Sequence, residues 1–157
     1  MTRWGSVDFR QMKAFQKKLE QMDKMRDEFC TAAAKELAAR LLAKVIKRTP
    51  VGQYPEGSGM VGGTLRRGWT GQVERGGGGG AAYANSLPVK KVGNMYVIDI
   101  INPVNYASYV EFGHRTRGHK GWVKGRFMLT KSEIELSADA PKILEKKLAK
   151  WLGDNLK

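Results

Sequence analysis

Apolar residues recur every three or four positions along the first third of the chain, and this stripe constrains the fold more than any other feature. It runs through Phe9, Met12, Phe15, Leu19, Met22, Met25, Phe29, Ala33, Leu37, Leu41 and Val45. This spacing predicts an amphipathic helical segment over residues 8–47. One straight helix of that length would be ~60 Å long, which exceeds the diameter of a domain of this size. We therefore expect a break or an overhang near residues 22–27, with two helices favoured over one.

Proline and glycine divide the middle of the chain. Pro50 ends the helical pattern because proline disfavours helical geometry at the preceding residue and has no amide hydrogen. Residues 51–63 are rich in Gly, Pro, Ser and Tyr, which predicts a flexible loop. Residues 70–75 are predicted to form a strand. The glycine run at 76–80 then predicts a flexible hairpin tip, since glycine has many accessible backbone states.

The second half of the chain alternates between strand and helix signals. Gly93-Asn94 separates two strand-like segments, 89–92 and 95–101, and predicts a β-hairpin. Residues 106–112 could form a strand, but the spacing of Tyr106, Tyr109 and Val110 favours a short helix with Asn105 as its cap. Residues 126–136 are predicted as a further helix, and Asp139-Ala140-Pro141 is predicted to open a last one.

Together these elements define the fold class as α+β. We expect a long N-terminal helical segment, a small antiparallel sheet with a glycine-rich hairpin, and two C-terminal helices. The 157 residues fit a single domain, 1–157, with residues 1–7 as an N-terminal tail. The lysines of the last helix, at positions 146, 147 and 150, are predicted to form a solvated surface.

The charge balance indicates an anionic partner. Lys and Arg number 28 against 15 Asp and Glu, a formal net charge of +13, which favours nucleic acid or an acidic protein face. Cys30 is the single cysteine and is interpreted as a small core residue without a disulfide. No apolar run approaches the ~20 residues of a membrane span, and no signal peptide is recognised. We expect assembly in the cytoplasm and no membrane contact.

The sequence predicts neither catalysis nor a cofactor. Outside the general pool of acids, the zinc-ligand types are His114, His119, Glu111 and Cys30, and no Cys-x-x-Cys or His-Glu-x-x-His spacing joins them. Both histidines lie among glycines, which opposes the preorganisation that nucleophilic catalysis needs. The glycine runs lack the Gly-Lys-Ser/Thr ending of a phosphate-binding loop.

Two segments are candidates for recognition. The first is the stretch Thr64, Leu65, Arg66, Arg67, Gly68 and Trp69. Its arginines would either bind phosphate or pair with acids of a neighbouring subunit, and both interpretations stay open. The second combines Tyr106, Tyr109 and the buried-looking acid Glu111 with the loop that follows, residues 113–125. The tyrosines are interpreted as either core or interface.

The second segment is strongly basic. Arg115, Arg117, Lys120, Lys124 and Arg126 occur without an intervening acid and are interleaved with His114, His119 and Trp122. That composition suits a nucleic-acid backbone, and Arg115, Arg117, Lys120 and Lys124 are the candidates for facing DNA. The alternatives are a flexible loop that becomes ordered against a neighbour, or an exposed loop with no partner.

Four segments in this order resemble the head–tail joining, or tail-completion, proteins of long-tailed double-stranded-DNA phages and prophages. They are Arg48-Thr49-Pro50-Val51-Gly52, then Gly63-Thr64-Leu65-Arg66-Arg67-Gly68-Trp69, then residues 102–114, and then Gly125-Arg126-Phe127-Met128-Leu129. The resemblance spans about residues 35–136. It departs from the family pattern at residues 53–62, where a longer insertion separates the first two segments.

The resemblance implies a non-catalytic virion protein of the phage neck. Such a protein forms a ring, expected to be a hexamer, between the head connector and the tail. Its partners would be a connector, adaptor or stopper protein and a tail terminator or tail tube protein, with non-specific DNA in the channel. The interface residues would be Thr64, Leu65, Arg66, Arg67, Trp69, Tyr106, Tyr109, Glu111, His114, Arg115, Arg117, Trp122 and Arg126.

Three other functions remain to be distinguished. A tail terminator or stopper ring shares the size, charge and α+β character of a completion ring. A free basic nucleic-acid-binding protein would also explain the net charge. A small cell-wall hydrolase would require activity that depends on His114 or Glu111, and we expect none.

Overall fold

The computed structural model of the chain describes residues 9–71 and 79–155. Five helices and four short strands occur within these ranges: α1 (Phe9–Arg48), α2 (Thr64–Gly68), α3 (Gly80–Ser86), β1 (Lys90–Val92), β2 (Met95–Val97), α4 (Ala107–Phe112), β3 (Gly113–Arg115), β4 (Trp122–Lys124) and α5 (Met128–Asn155). The fold is α+β, as the sequence predicts. Helices α1 and α5 pack together, and the strands form two separate antiparallel pairs, β1–β2 and β3–β4.

The N-terminal stripe forms one uninterrupted helix, so the expected division into two helices is wrong. Residues 22–27 contain no glycine or proline that would interrupt the helical hydrogen bonds. The length is accommodated by an overhang instead. Every side chain described between Met12 and Lys24 is exposed, whereas Ala38, Leu42 and Val45 in the second half of α1 are buried.

The core lies where the second half of α1 meets α2, α3 and the start of α5. Its buried members are Ala38, Leu42, Val45, Leu65, Trp69, Ala84 and Met128. Thr49 links the end of α1 to this core, because its hydroxyl donates to the Val45 carbonyl at 2.6 Å and accepts the Trp69 indole N–H at 2.8 Å. The large buried indole therefore has its single polar group satisfied.

After Trp69 the chain turns and does not begin the predicted strand. The amides of Thr70 and Gly71 donate to the carbonyls of Arg67 and Gly68, each at 3.0 Å. Residues 72–78, which hold the remainder of that predicted strand and most of the glycine run, lie outside the described residues. Gly80 begins α3, so the C-terminal side of the predicted glycine-rich hairpin is a helix packed on α1.

The hairpin at Gly93-Asn94 is confirmed, with Val92 opposite Met95, although β2 ends at Val97, earlier than predicted. It is attached to α1 by Asp27, which accepts hydrogen bonds from Lys91 Nζ at 2.9 Å and from the Tyr96 hydroxyl. Ile98 and Ile100 follow the strand and pack against the core.

The short helix predicted over 106–112 is also confirmed as α4. Its N-cap is Tyr106, without a side-chain capping bond, so the prediction that Asn105 caps it is wrong. The helix starts from a backbone turn instead, because the Ala107 amide donates to the Val104 carbonyl at 2.9 Å.

The C-terminal region is one helix, α5, and not the two that were predicted. Pro141 lies inside it and removes one backbone hydrogen bond. Both halves are nevertheless held on α1: Glu135 accepts from Lys44 at 3.3 Å before the proline, and Lys147 donates to Glu36 at 2.8 Å after it. These contacts on either side keep the helix continuous.

Thr49→Val tests the link between α1 and the core. Valine removes the acceptor of the Trp69 indole N–H and leaves a buried donor unsatisfied, so the free energy of unfolding should fall by roughly 1–3 kcal/mol. Urea denaturation measures the change. Thr49→Ser keeps the hydroxyl and is the matched control; equal stability of the valine and serine variants would contradict the assignment.

Candidate functional site

The carboxylate of Glu111, at the end of α4, lies at the start of α5. It accepts hydrogen bonds from the Leu129 amide at 3.0 Å, the Thr130 amide at 2.9 Å and the Thr130 hydroxyl at 2.8 Å. The first amides of a helix have no partner within the helix, and the helix dipole favours a negative charge there. Glu111 is 6% exposed, so it is an internal cap of α5 in the subunit, and its predicted role as a contact residue of the interface stays a prediction.

Backbone contacts join the same elements. The Arg126 amide donates to the Val110 carbonyl at 2.8 Å, and the Phe127 amide donates to the Glu111 carbonyl at 3.0 Å. Gly125 is required for this approach, because a Cβ there would lie 2.3 Å from the Glu111 carbonyl oxygen. Gly113 has φ +90°, a backbone conformation that favours glycine. The two glycines therefore allow β3, β4, α4 and α5 to meet at one point.

The segment predicted as a basic flexible loop, residues 113–125, is a β-hairpin. Strands β3 and β4 pair with His114 opposite Val123 and Arg115 opposite Trp122. Because neighbouring residues of a strand point to opposite faces, Val123 and Trp122 lie on different faces of the hairpin. Both are exposed, and Trp122 is 62% exposed. Neither face of the hairpin is covered by the described part of the chain at these positions.

Exposed aromatic side chains of α4 lie beside the hairpin. Tyr106, Tyr109 and Phe112 are all exposed, Phe112 to 62%, and the Tyr109 ring lies 5.9 Å from the His114 ring. The interpretation of the two tyrosines as core residues is therefore excluded. We call the set of exposed residues the hairpin patch, and it comprises Tyr106, Tyr109, Phe112, His114, Trp122 and Val123.

The predicted basic residues lie on the β3–β4 hairpin or directly after it. Arg115, Arg117, Lys120, Lys124 and Arg126 are exposed. Within residues 9–71 and 79–155, none of these five has an ion-pair partner. His119 is also exposed and has φ +54°, in the turn that joins the two strands. The hairpin thus carries concentrated positive charge next to exposed aromatic rings.

The structure divides the other candidate segment, residues 64–69, between core and surface. Leu65 and Trp69 are 5% and 4% exposed, so these two belong to the core of the subunit, and their assignment to an interface stays a prediction. Gly68 is buried against Asn102, whose side-chain amide donates to the Leu65 carbonyl at 2.8 Å. Thr64 is half-buried at the start of α2.

Arg66 and Arg67 hold the backbone of the preceding loop. Arg66 donates to the Thr49 carbonyl from Nε at 3.1 Å and from Nη2 at 2.6 Å. Arg67 donates to the Gly62 carbonyl at 3.2 Å and to the Thr64 hydroxyl at 3.3 Å. These contacts fix both ends of the loop over residues 50–62, a use of the two arginines that neither sequence interpretation considered.

That loop is a second apolar surface, which sequence reasoning missed. All ten residues 51–60 are exposed, and so is Val61. The large apolar side chains among them are Val51, Tyr54, Met60 and Val61. We call these four residues the loop patch. The signal in the sequence was the near absence of charge in a segment that nevertheless contains valine, methionine and tyrosine.

In the described ranges, no group of three or more His, Cys, Asp or Glu side chains is arranged to hold a metal ion. The same ranges contain no helix that is both long and apolar enough to span a bilayer.

The chain belongs to a family of phage tail components. The model of the family described as "Bacteriophage HK97-gp10, putative tail-component" matches residues 13–113, which is more than half of the chain. The resemblance to phage joining proteins is thereby confirmed at the level of the family, and the protein has a structural role in the phage tail, as part of the virion. The match ends at Gly113, where β3 begins. No curated protein and no solved structure matches the chain.

Glu111→Gln tests the internal cap through its pH dependence. Burial raises the pKa of the Glu111 carboxyl, but the hydrogen bonds from Thr130 and Leu129 outweigh burial and hold this pKa below its ordinary value of 4.5. Because the pKa is lower in the folded chain, the stabilisation is complete above about pH 4.5 and is lost as pH falls through the folded value. At neutral pH the glutamine variant should lose roughly 1–3 kcal/mol of unfolding free energy.

Urea unfolding at a series of pH values measures this effect. The difference between the wild-type protein and the variant should shrink as the pH falls below 4.5. Glu133→Gln, at an exposed position of the same helix, is the control and should change little at any pH. A Glu111→Gln deficit that is constant with pH would exclude the proposed ionised cap.

Proposed function

We propose that the protein is a neck component that joins the phage head to the tail as a ring. The observation that carries this proposal is the hairpin patch, because a free subunit that exposes this many aromatic side chains needs a protein partner. Aromatic residues and arginine are enriched in protein interfaces and dominate their binding energy. Membership of a family of tail components supports a partner within the phage particle.

The ring would be built from two different surfaces on each subunit. A closed ring requires a heterologous contact, in which one patch of a subunit meets another patch of its neighbour. The hairpin patch and the loop patch come from different segments of the chain, and both expose large apolar side chains. Glu111 fixes the hairpin, while Arg66 and Arg67 fix the loop. We infer that the hairpin patch of one subunit contacts the loop patch and the adjoining Thr64 of the next.

The β3–β4 sheet has only two strands, which also favours binding to a neighbouring subunit. An isolated two-stranded hairpin is marginally stable in water, and a third strand or a covering surface is needed for independent stability. Since both faces of β3–β4 carry exposed side chains, a neighbour on either face would bury apolar area. The ring, expected to be a hexamer, would then bind a connector, adaptor or stopper protein on one side and a terminator or tail tube protein on the other. A terminator or stopper ring would use the same surfaces.

A free nucleic-acid-binding protein is the alternative from a different class. The unpaired cations of the hairpin favour it, because phosphate contacts need exposed Lys and Arg. Nucleic-acid binding weakens steeply with salt, whereas ring contacts rich in apolar area are less sensitive to salt. Submicromolar binding of duplex DNA by the isolated protein at physiological salt would reject the neck assignment.

Phe112→Ser and Trp122→Ser, made together, test the ring. They remove two large side chains from the proposed contact without touching the core, so the subunit should stay folded while ring formation falls at least about tenfold in apparent affinity. Light scattering after size exclusion gives the mass, and negative-stain images show whether rings form, either alone or with the neighbouring neck proteins.

Ile134→Ser is the matched control, since Ile134 is 66% exposed on α5, an exposure comparable to that of Phe112 and Trp122. It should leave ring formation unchanged. If the hairpin variant still assembled like the wild-type protein, or if the control were equally defective, the hairpin patch would not be the ring contact.

A further inference from the structure

A row of ion pairs joins α1 to α5. Glu36 accepts hydrogen bonds from Lys147 at 2.8 Å and from Arg40 at 2.9 Å. About two turns further along α1, Lys44 lies 3.3 Å from Glu135 and 3.4 Å from Asp139. The hydrogen bonds from Lys147 and Arg40 also hold the pKa of Glu36 below its ordinary value, so that carboxylate is ionised at neutral pH.

Three lysines of α5 beside this row have no acidic partner. Lys142, Lys146 and Lys150 are exposed, and among the described residues none of them forms an ion pair. They line an open cavity of about 500 Å³ between the two helices. The acids in its lining are Glu36 and Asp139, and both are already paired with cations. The cavity, which we call the lysine trough, therefore has surplus positive charge.

The lysines follow one face of α5. They are spaced four residues apart, which is ~6 Å along a helix, so the three ammonium groups extend over ~12 Å. Like charges four residues apart destabilise a helix. In the free protein this arrangement is unfavourable, and a polyanion lying along the trough would relieve it.

We propose that the lysine trough binds the phosphate backbone of duplex DNA. Duplex DNA carries one negative charge per ~1.7 Å of its axis, so every lysine of the trough would find a phosphate nearby. Lysine acts on phosphate as a point charge and needs no fixed geometry, which suits a contact that is independent of base sequence.

An acidic protein surface is the alternative partner, and the composition of the trough argues against it. Protein interfaces are depleted in lysine and enriched in aromatic residues and arginine. The lining has four lysines, one arginine and a single apolar residue, Ile143, and contains no aromatic ring. The hairpin patch has the opposite composition. The two basic surfaces of the molecule thus have different partners, protein at the hairpin and nucleic acid at the trough.

The binding chemistry of the trough does not depend on the ring, although its place in the particle rests on the proposed function. In a neck ring, the trough would face the channel through which DNA passes. Contacts there need to be weak at physiological salt, because tight binding would retain the DNA.

The experiment compares two triple variants that remove the same charge. One carries Lys142→Gln, Lys146→Gln and Lys150→Gln; the other carries Arg115→Gln, Arg117→Gln and Lys120→Gln in the hairpin. Fluorescence anisotropy of a labelled duplex measures binding as the salt concentration is raised from a low value. The trough variant should lose at least about tenfold in affinity at low salt, and its slope of log K against log salt should be shallower by about 2–3.

The hairpin variant should keep most of the wild-type slope. A larger loss of DNA binding in the hairpin variant, or equal losses in both, would overturn the trough assignment. Polyglutamate is the competing probe for an acidic protein partner; if it bound the wild-type trough more tightly than duplex DNA at equal salt, the nucleic-acid assignment would be wrong.

Two further readouts separate this inference from the proposed ring. The thermal midpoint of the trough variant should be unchanged or raised, because the repulsion between lysines is removed; a lowered midpoint would indicate a structural role and count against the inference. Ring formation by the trough variant should match the wild-type protein. If the wild-type protein bound DNA through the trough but formed no ring with its neck partners, the proposed function would fail while the trough assignment would stand.

Discussion

The positions of α4, the β3–β4 hairpin that follows it and the start of α5 depend on the buried carboxylate of Glu111. The side chain comes from α4, yet it receives the first amides of α5, and the carbonyl of the same residue receives the Phe127 amide. Helices α4 and α5 and the segment that precedes α5 are thus joined through one residue. In a chain with a formal net charge of +13, several backbone and hydroxyl donors replace the water that this acid loses on burial. The hairpin is held at a defined position although most of its own side chains are exposed.

Features that depend on local chemistry were accessible from the sequence. The apolar stripe predicted α1, and Gly93-Asn94 predicted the first hairpin, because periodicity and turn conformation are properties of neighbouring residues. The acid at position 111 was recognised as buried since it stands among apolar and aromatic residues. Its function as a cap was not accessible, because the amides that it binds belong to a helix that begins later in the chain.

Other features were mispredicted because contacts between distant segments decide them. Pro141 alone predicts the end of one helix and the start of another. In the structure α5 continues through Pro141, and ion pairs to α1 hold the helix on both sides of the proline. The β3–β4 hairpin has strands of only three residues, and its position depends on the close approach of Gly125 to Glu111. Arg66 and Arg67 look like ligands for an external anion, yet their hydrogen bonds go to backbone carbonyls and a hydroxyl of their own chain.

The exposed N-terminal part of α1, residues 12–24, extends away from the core. A helix without glycine or proline behaves as a rod, so the distance between its free end and the body is fixed by the number of residues between them. One inserted residue would move the end outward by ~1.5 Å and rotate it by ~100° about the axis. The number of residues in the overhang therefore sets both the distance of the helix end from the body and its rotation about the helix axis, so the two cannot be varied independently.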